Sequence, residues 1–329
     1  MTRDIEVALP FWLDRPDEEA LDVAVAAREA EFDALWIGEM ATFDAFALAT
    51  AVGNCAPGIR MKLGPLAVGV RSPVALALGA STVASLTGNE VDIALGASSP
   101  TIVAGWHGGQ WAQHASRMRE TIECLRSILA GSRVDYNGRH VRCKGFRLRK
   151  PLPNSRVGVG AFGPAMTRVA AQHADEVVLN LVPPARVVDI RAIIDAEAAA
   201  ACRTPPRLTV WLPVAVNPGD AAHGQLAAQL AVYLAPPGYG EMFSQLGFLD
   251  LVQRARSGAR RIELASAVPV ELLDQVCALG SPERIAARMQ AYHEAGADSI
   301  AIVPATAEDP GGAATLNAVA LRHNANQEM

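Results

Sequence analysis

VGVGAFGPAMTRVAAQHADEVVLN, residues 157–180, is the stretch from which the rest of the chain can be read. Val157, Val159 and Ala161 alternate with glycines as in a short buried strand. Gly163-Pro164 then opens an amphipathic segment carrying Met166, Val169, Ala170 and Ala174. The order is strand, turn, helix, strand. Proline at the first helical position sacrifices no hydrogen bond, because that N–H has no intrahelical partner in any case. The glycines allow close backbone approach, and the first amides with the positive end of the helix dipole face the strand's carboxyl end, where a phosphate fits.

Gly158, Gly160 and Gly163 also spell G-x-G-x-x-G. A nicotinamide dinucleotide site needs an acidic residue closing the second strand to hold the ribose hydroxyls. Asp175 and Glu176 open that strand instead, and it ends at Asn180, which counts against the dinucleotide. A structural β/α turn without ligand is the plain alternative.

Working outward, strand and helix alternate from end to end. Strands are expected at 5–10, 33–38, 60–67, 90–97, 157–161, 175–180, 207–216 and 298–303. Helices are expected at 17–31, 43–55, 73–86, 117–130, 164–174, 184–201, 221–233, 282–295 and 312–322. Eight βα units of buried apolar strands favour a closed α/β cylinder, a (β/α)8 TIM barrel, over an open doubly wound sheet. Its chemistry then belongs on the loops after Gly38, Ala67, Ala97, Ala161, Asn180 and Val303. No convincing domain boundary occurs, so a single domain over 1–329 is expected. Insertions are placed near 132–154, where Tyr136-Asn137-Gly138-Arg139 signals a hairpin turn, and near 234–258, a Gly/Pro-rich lid or subunit contact.

Half of the 329 residues are hydrophobic, 19% are charged and the net charge is -5. That balance argues against nucleic acid or an anionic membrane as the main partner and for small molecules. The amino-terminal stretch lacks a secretory pattern and no apolar run is long enough to span a bilayer, so a cytoplasmic protein is expected. Five scattered cysteines form no C-x-x-C pair, and no histidine pair has metal-ligand spacing, so no metal site is expected.

FDALWIGE (32–39), LGPLAVGVRSP (63–73), EVDIALGASSP (90–100) and the phosphate turn with its following ADEVVLN stand in an order and spacing that resemble the bacterial luciferase-like superfamily. Within it, the chain is most similar to the oxidoreductases that use the deazaflavin coenzyme F420, relatives of methylenetetrahydromethanopterin reductase and F420-dependent glucose-6-phosphate dehydrogenase. The resemblance covers roughly residues 5–305. It implies a barrel with insertions, usually a homodimer, holding a deazaflavin or flavin at the strands' carboxyl ends.

Carried over by position, the resemblance puts the cofactor phosphate on Gly160, Ala161, Gly163 and Pro164. It maps a bulge with a non-proline cis peptide near Leu66-Ala67, with Leu66 where many relatives have a small residue; an ordinary buried leucine with a trans bond is the alternative. Glu39 takes the place of an acidic residue that contacts cofactor or substrate; capping the following helix is its alternative role. Met40 stands where the sugar-phosphate dehydrogenase has its catalytic histidine and Ser99 where it has an acid, which counts against sugar-phosphate oxidation. Ser98 and Ser99 are candidate donors to the cofactor tail, or turn and cap residues. His107, between Trp106 and Trp111, is the candidate proton donor or acceptor beside the ring, or a simple loop histidine. The implied reaction is hydride transfer at ring carbon 5 to or from a small organic substrate. An FMN-dependent monooxygenase and a catalytically silent F420 carrier are the alternatives.

Overall fold

Strands buried on both faces need no polar alternation, and the eight short apolar runs form a closed cylinder in the computed structural model, which describes residues 4–39 and 41–327. The strands are β1 (Asp4–Ala8), β2 (Ala34–Ile37), β3 (Arg60–Ala67), β4 (Val91–Gly96), β5 (Val157–Gly160), β6 (Glu176–Asn180), β7 (Arg207–Val216) and β8 (Ser299–Pro304). All pair in parallel with their sequence neighbours, and β8 returns to β1 with Ile300 opposite Ile5. This is the (β/α)8 TIM barrel expected from the strand count.

Helices fill the crossovers, and their ends carry the expected signals. Ser72 accepts a hydrogen bond from the Ala75 amide at the start of Pro73–Thr87, and Gly88, at φ 76°, ends that helix. Asp44 caps Ala45–Cys55 and Ser281 caps Pro282–Glu294 in the same way.

Alternation along the strands sorts the side chains into two layers. Val7, Leu35, Leu63, Leu95 and Val159 face the helices in the main core. Ala8, Trp36, Ala94, Val178 and Ala301 form a second, interior cluster joined by Trp211 and Val303. In the same cylinder lies an ionic group. Lys62 Nζ donates to Glu6 Oε1 at 2.7 Å and to Glu176 Oε1 at 2.8 Å. Trp36 Nε1 donates to Glu6 Oε2 and the Thr209 hydroxyl to Glu176 Oε1, both at 2.5 Å. Burial raises the Glu176 carboxyl against the pull of Lys62.

The first insertion is the expected hairpin, Val134–Asn137 against Arg142–Phe146, with Tyr136 opposite Cys143. Glu120, on the helix His114–Leu129, accepts from the amides of Arg139, His140 and Val141 at 3.2, 2.7 and 3.0 Å. Burial works to raise its carboxyl, but those three amides hold it below the usual range. The second insertion is longer than 234–258. It continues through the short helices Tyr239–Phe243, Leu249–Arg256, Arg261–Ala265 and Val270–Val276 to a strand, Ala278–Gly280, that extends the sheet beside the end of β7. Helices this short carry too few periods to stand out in sequence. Among the described residues, no helix is long and apolar enough to cross a membrane.

Candidate functional site

The carboxyl ends of the strands converge on one mouth. One of the connections there is the turn after β5. Gly163 is the N-cap of the helix Pro164–His173, with extended backbone (φ -95°, ψ 160°) and no side-chain cap, and Pro164 occupies the first helical position. Helix geometry leaves the Ala165 and Met166 amides without intrahelical acceptors. A Cβ built on Gly163 meets nothing within 4 Å, so the turn opens onto free space. Ala161 is buried, as its place in the alternation implies, but its amide donates to the Val178 carbonyl at 3.3 Å, which leaves it to the sheet rather than to an anion. Pro164 has no amide hydrogen to offer and serves by fixing the backbone.

The floor of the mouth is built from β3, β4 and β5. The register of β3 against β4 shifts between Leu63 and Leu66, and the cis peptide found among the described residues is Gly64-Pro65. It therefore precedes a proline and lies upstream of the expected Leu66-Ala67. The bulge turns the Pro65 ring inward: a Cβ on Gly96 would stand 3.2 Å from Pro65 Cβ, and one on Gly160 3.3 Å from Pro65 Cγ. Leu66 is 1% exposed and belongs to the sheet–helix core, so its bulk faces away from the mouth rather than into a ring pocket. Ala67 is half-buried beside it.

Glu39, half-buried after β2, is gripped by Arg71. The guanidinium reaches both carboxylate oxygens, with Nη2 to Oε1 at 2.6 Å, and also holds Asp44 Oδ2 at 2.5 Å. Glu39 Oε1 accepts in addition from the Ala45 amide at 3.2 Å, so the helix-start role is realised together with an ion pair. Arg71 also lies over the Phe46 ring at 5.4 Å. This clamp ties the loops after β2 and β3 together. Met40 lies outside the described residues.

After β4, Ser98 is exposed with φ 63°, a left-handed backbone that a residue with a side chain adopts at a cost of about 1–3 kcal/mol. Ser99 Oγ accepts from the Ile102 amide at 3.3 Å and so caps the following π-helix Thr101–Trp106. His107 ends that helix and is exposed, as is Trp106. Trp111 packs on His114 with ring centroids 4.2 Å apart, and its buried indole N–H has no partner among the described residues.

Sequence reasoning missed the opposite wall. Trp36 and Trp211 meet edge to face at 5.6 Å inside the cylinder, and the Trp211 N–H is buried without an acceptor among the described residues. Asn180 is the last residue of β6, and burial pushes the phenols of Tyr233 and Tyr239 upward. The Tyr239 ring centroid lies 4.5 Å from that of Phe162, in the turn after β5, and 5.0 Å from that of Tyr233. Gly238, at φ 88°, comes so close that a Cβ there would stand 2.9 Å from Phe162. The second insertion therefore seats on the turn after β5, and the inward parity of Trp36, Asn180 and Trp211 was the available signal. No cluster of metal-binding side chains is found among the described residues.

Comparison with known proteins agrees with this geometry. A family model described as luciferase-like monooxygenase matches residues 13–299. A Mycobacterium tuberculosis protein assigned as a coenzyme F420-dependent oxidoreductase is 25% identical over 340 aligned positions, covering 94% of this chain and 97% of the relative. The coenzyme F420-dependent tetrahydromethanopterin reductase of Methanopyrus kandleri superposes with a TM-score of 0.80 at 15% identity, covering 96% of this chain and 97% of the other. An F420-dependent secondary alcohol dehydrogenase, solved with an F420–acetone adduct, also scores 0.80 at 16% identity, covering 97% and 99%. At these identities the two structures speak for the fold.

Proposed function

From the premise that the chain belongs to the luciferase-like monooxygenase family, we propose that it is an oxidoreductase that uses coenzyme F420 for hydride transfer at ring carbon 5 to or from a small organic substrate. The observation that carries this reading is the uncapped helix start at Gly163-Pro164, open at the barrel mouth beside an aromatic wall. The named F420-dependent relatives supply the choice of cofactor.

The residues present suit such a group. Amides at Gly163, Ala165 and Met166 are placed to accept an anion at a positive helix end. Two buried indole N–H groups, of Trp111 and Trp211, still lack acceptors among the described residues. When bound, the deazaflavin supplies two-electron hydride chemistry without ready activation of oxygen. The protein supplies orientation and exclusion of water. Pro65, over Gly96 and Gly160, would form the floor against which a flat ring could rest. Tyr239 and Phe162 close the side nearest the turn. Arg71 holds Glu39 in one orientation at the mouth, from which it can accept a hydrogen bond. His107, exposed on the loop after β4, is the imidazole there that could exchange a proton with substrate.

Titration of the purified protein with F420 and with FMN, read by fluorescence, followed by oxidation of the reduced cofactor with a panel of enones and imines, tests the reading. Selective F420 binding with turnover is expected. Selective FMN binding with oxygen consumption replaces the reading by a monooxygenase, and F420 binding without turnover on any substrate replaces it by a carrier.

A further inference from the structure

Arg186 lies two residues into the helix Pro184–Ala200, which follows β6. Its side chain turns back onto the phosphate turn. Nη2 donates to the Phe162 carbonyl at 3.1 Å, and the guanidinium stands over the Phe162 ring at 5.7 Å. Phe162 in turn packs on Tyr239, so the cation is joined through Phe162 to the aromatic cluster at the turn. Its acidic neighbour, Asp189, is 3.6 Å from Nη1 and 65% exposed, too distant and too solvated to satisfy the group. Arg186 Nε is buried and lacks a partner among the described residues, although the side chain keeps 27% of its surface.

A planar donor fork oriented by a carbonyl, bonded to the residue next to an uncapped helix start and left with N–H groups to spare, suits an anionic oxygen. We infer that Arg186 binds the anionic tail of the cofactor where it leaves the turn, and so selects cofactors by their tails rather than by their rings. This inference rests on the cofactor reading above.

The test compares wild type, Arg186→Gln and Arg186→Lys, titrated with F420 and with its tail-less chromophore, 8-hydroxy-5-deazariboflavin, by quenching of tryptophan fluorescence. For F420, the Gln variant should bind at least about tenfold more weakly. The Lys variant should fall between, since it keeps the charge and loses the fork. For the tail-less chromophore all three should agree within about twofold. Wild-type affinity for F420 should also fall with added salt while that for the chromophore does not. Unchanged F420 binding in Arg186→Gln overturns the inference, as does an equal loss for both ligands, which would mark a merely structural role at Phe162. Failure of wild type to bind either ligand overturns the cofactor reading and this inference with it.

Discussion

Replacing Lys62 by methionine tests the physics of the barrel interior most severely. Lys62 is 2% exposed, and its ammonium is the cation between Glu6 and Glu176, themselves 5% and 1% exposed. At an effective dielectric constant of about 20, each contact near 2.8 Å is worth roughly 6 kcal/mol before desolvation, which takes back several kcal/mol per ion. Methionine fills the volume but leaves two carboxylates with only the Trp36 and Thr209 donors. One must then take up a proton. For a carboxyl of ordinary pKa that costs about 4 kcal/mol near pH 7.5 and about 1 kcal/mol near pH 5. The loss of unfolding free energy should accordingly be about 3–5 kcal/mol near pH 7.5 and smaller by about 3 kcal/mol near pH 5. The sign follows from a raised folded pKa: stability is complete below the unfolded value and is lost as pH rises through the folded one. Urea titrations at the two pH values, followed by tryptophan emission, measure both. A loss under about 1 kcal/mol, or one of equal size at the two pH values, refutes the assignment of Lys62 as the compensating cation. Adding Glu176→Gln to the variant should return part of the loss near neutrality.

Gly163→Asp should separate stability from binding. The backbone there is ordinary, the space is open and Asp is a favoured N-cap, so the unfolding midpoint should hold or rise, by up to about 1 kcal/mol, while affinity for F420 falls at least tenfold because the carboxylate takes the anion's place. Arg71→Leu removes the shared partner of Glu39 and Asp44. It should cost about 1–2 kcal/mol in urea denaturation and weaken turnover through a misplaced Glu39, whereas unchanged kinetics would remove Glu39 from the site. Cys55 and Cys202 are exposed, while Cys124, Cys143 and Cys277 are buried, and burial pushes the Cys124 and Cys277 thiols up to about 12. A thiol reagent at neutral pH should therefore titrate two groups in the folded protein and five after denaturation.

The barrel was legible because buried parallel strands and helix starts leave strong local marks. Runs such as RMKLGPLA and RLTVWLPVAV coincide with β3 and β7, and Pro73, Pro164, Pro184 and Pro282 each stand at a helix start. The strand, turn and helix at 157–173 were legible for the same reason. What escaped depends on contacts between residues distant in sequence. Nothing near Glu39 announces that Arg71, 32 positions later, will hold it, and nothing near Phe162 announces Tyr239. Lys62, Glu6 and Glu176 look like ordinary strand polar residues until closure of the cylinder faces them inward. Leu66 falls in the sheet–helix core because β3 bulges against β4 just before it, a shift that the linear sequence does not mark.

The wedge of Pro65 between Gly96 and Gly160 has a consequence for anyone wishing to reshape this protein. Each glycine is small because the same pyrrolidine rests against it, so larger residues at 96 or 160 meet Pro65 at 3.2–3.3 Å. A single substitution at either position requires the Pro65 ring to give way by a few tenths of an ångström. A library that diversifies 65, 96 and 160 simultaneously can exchange the wedge for side chains on the neighbouring strands, which makes the triplet, and not its members, the unit on which evolution in the laboratory can act.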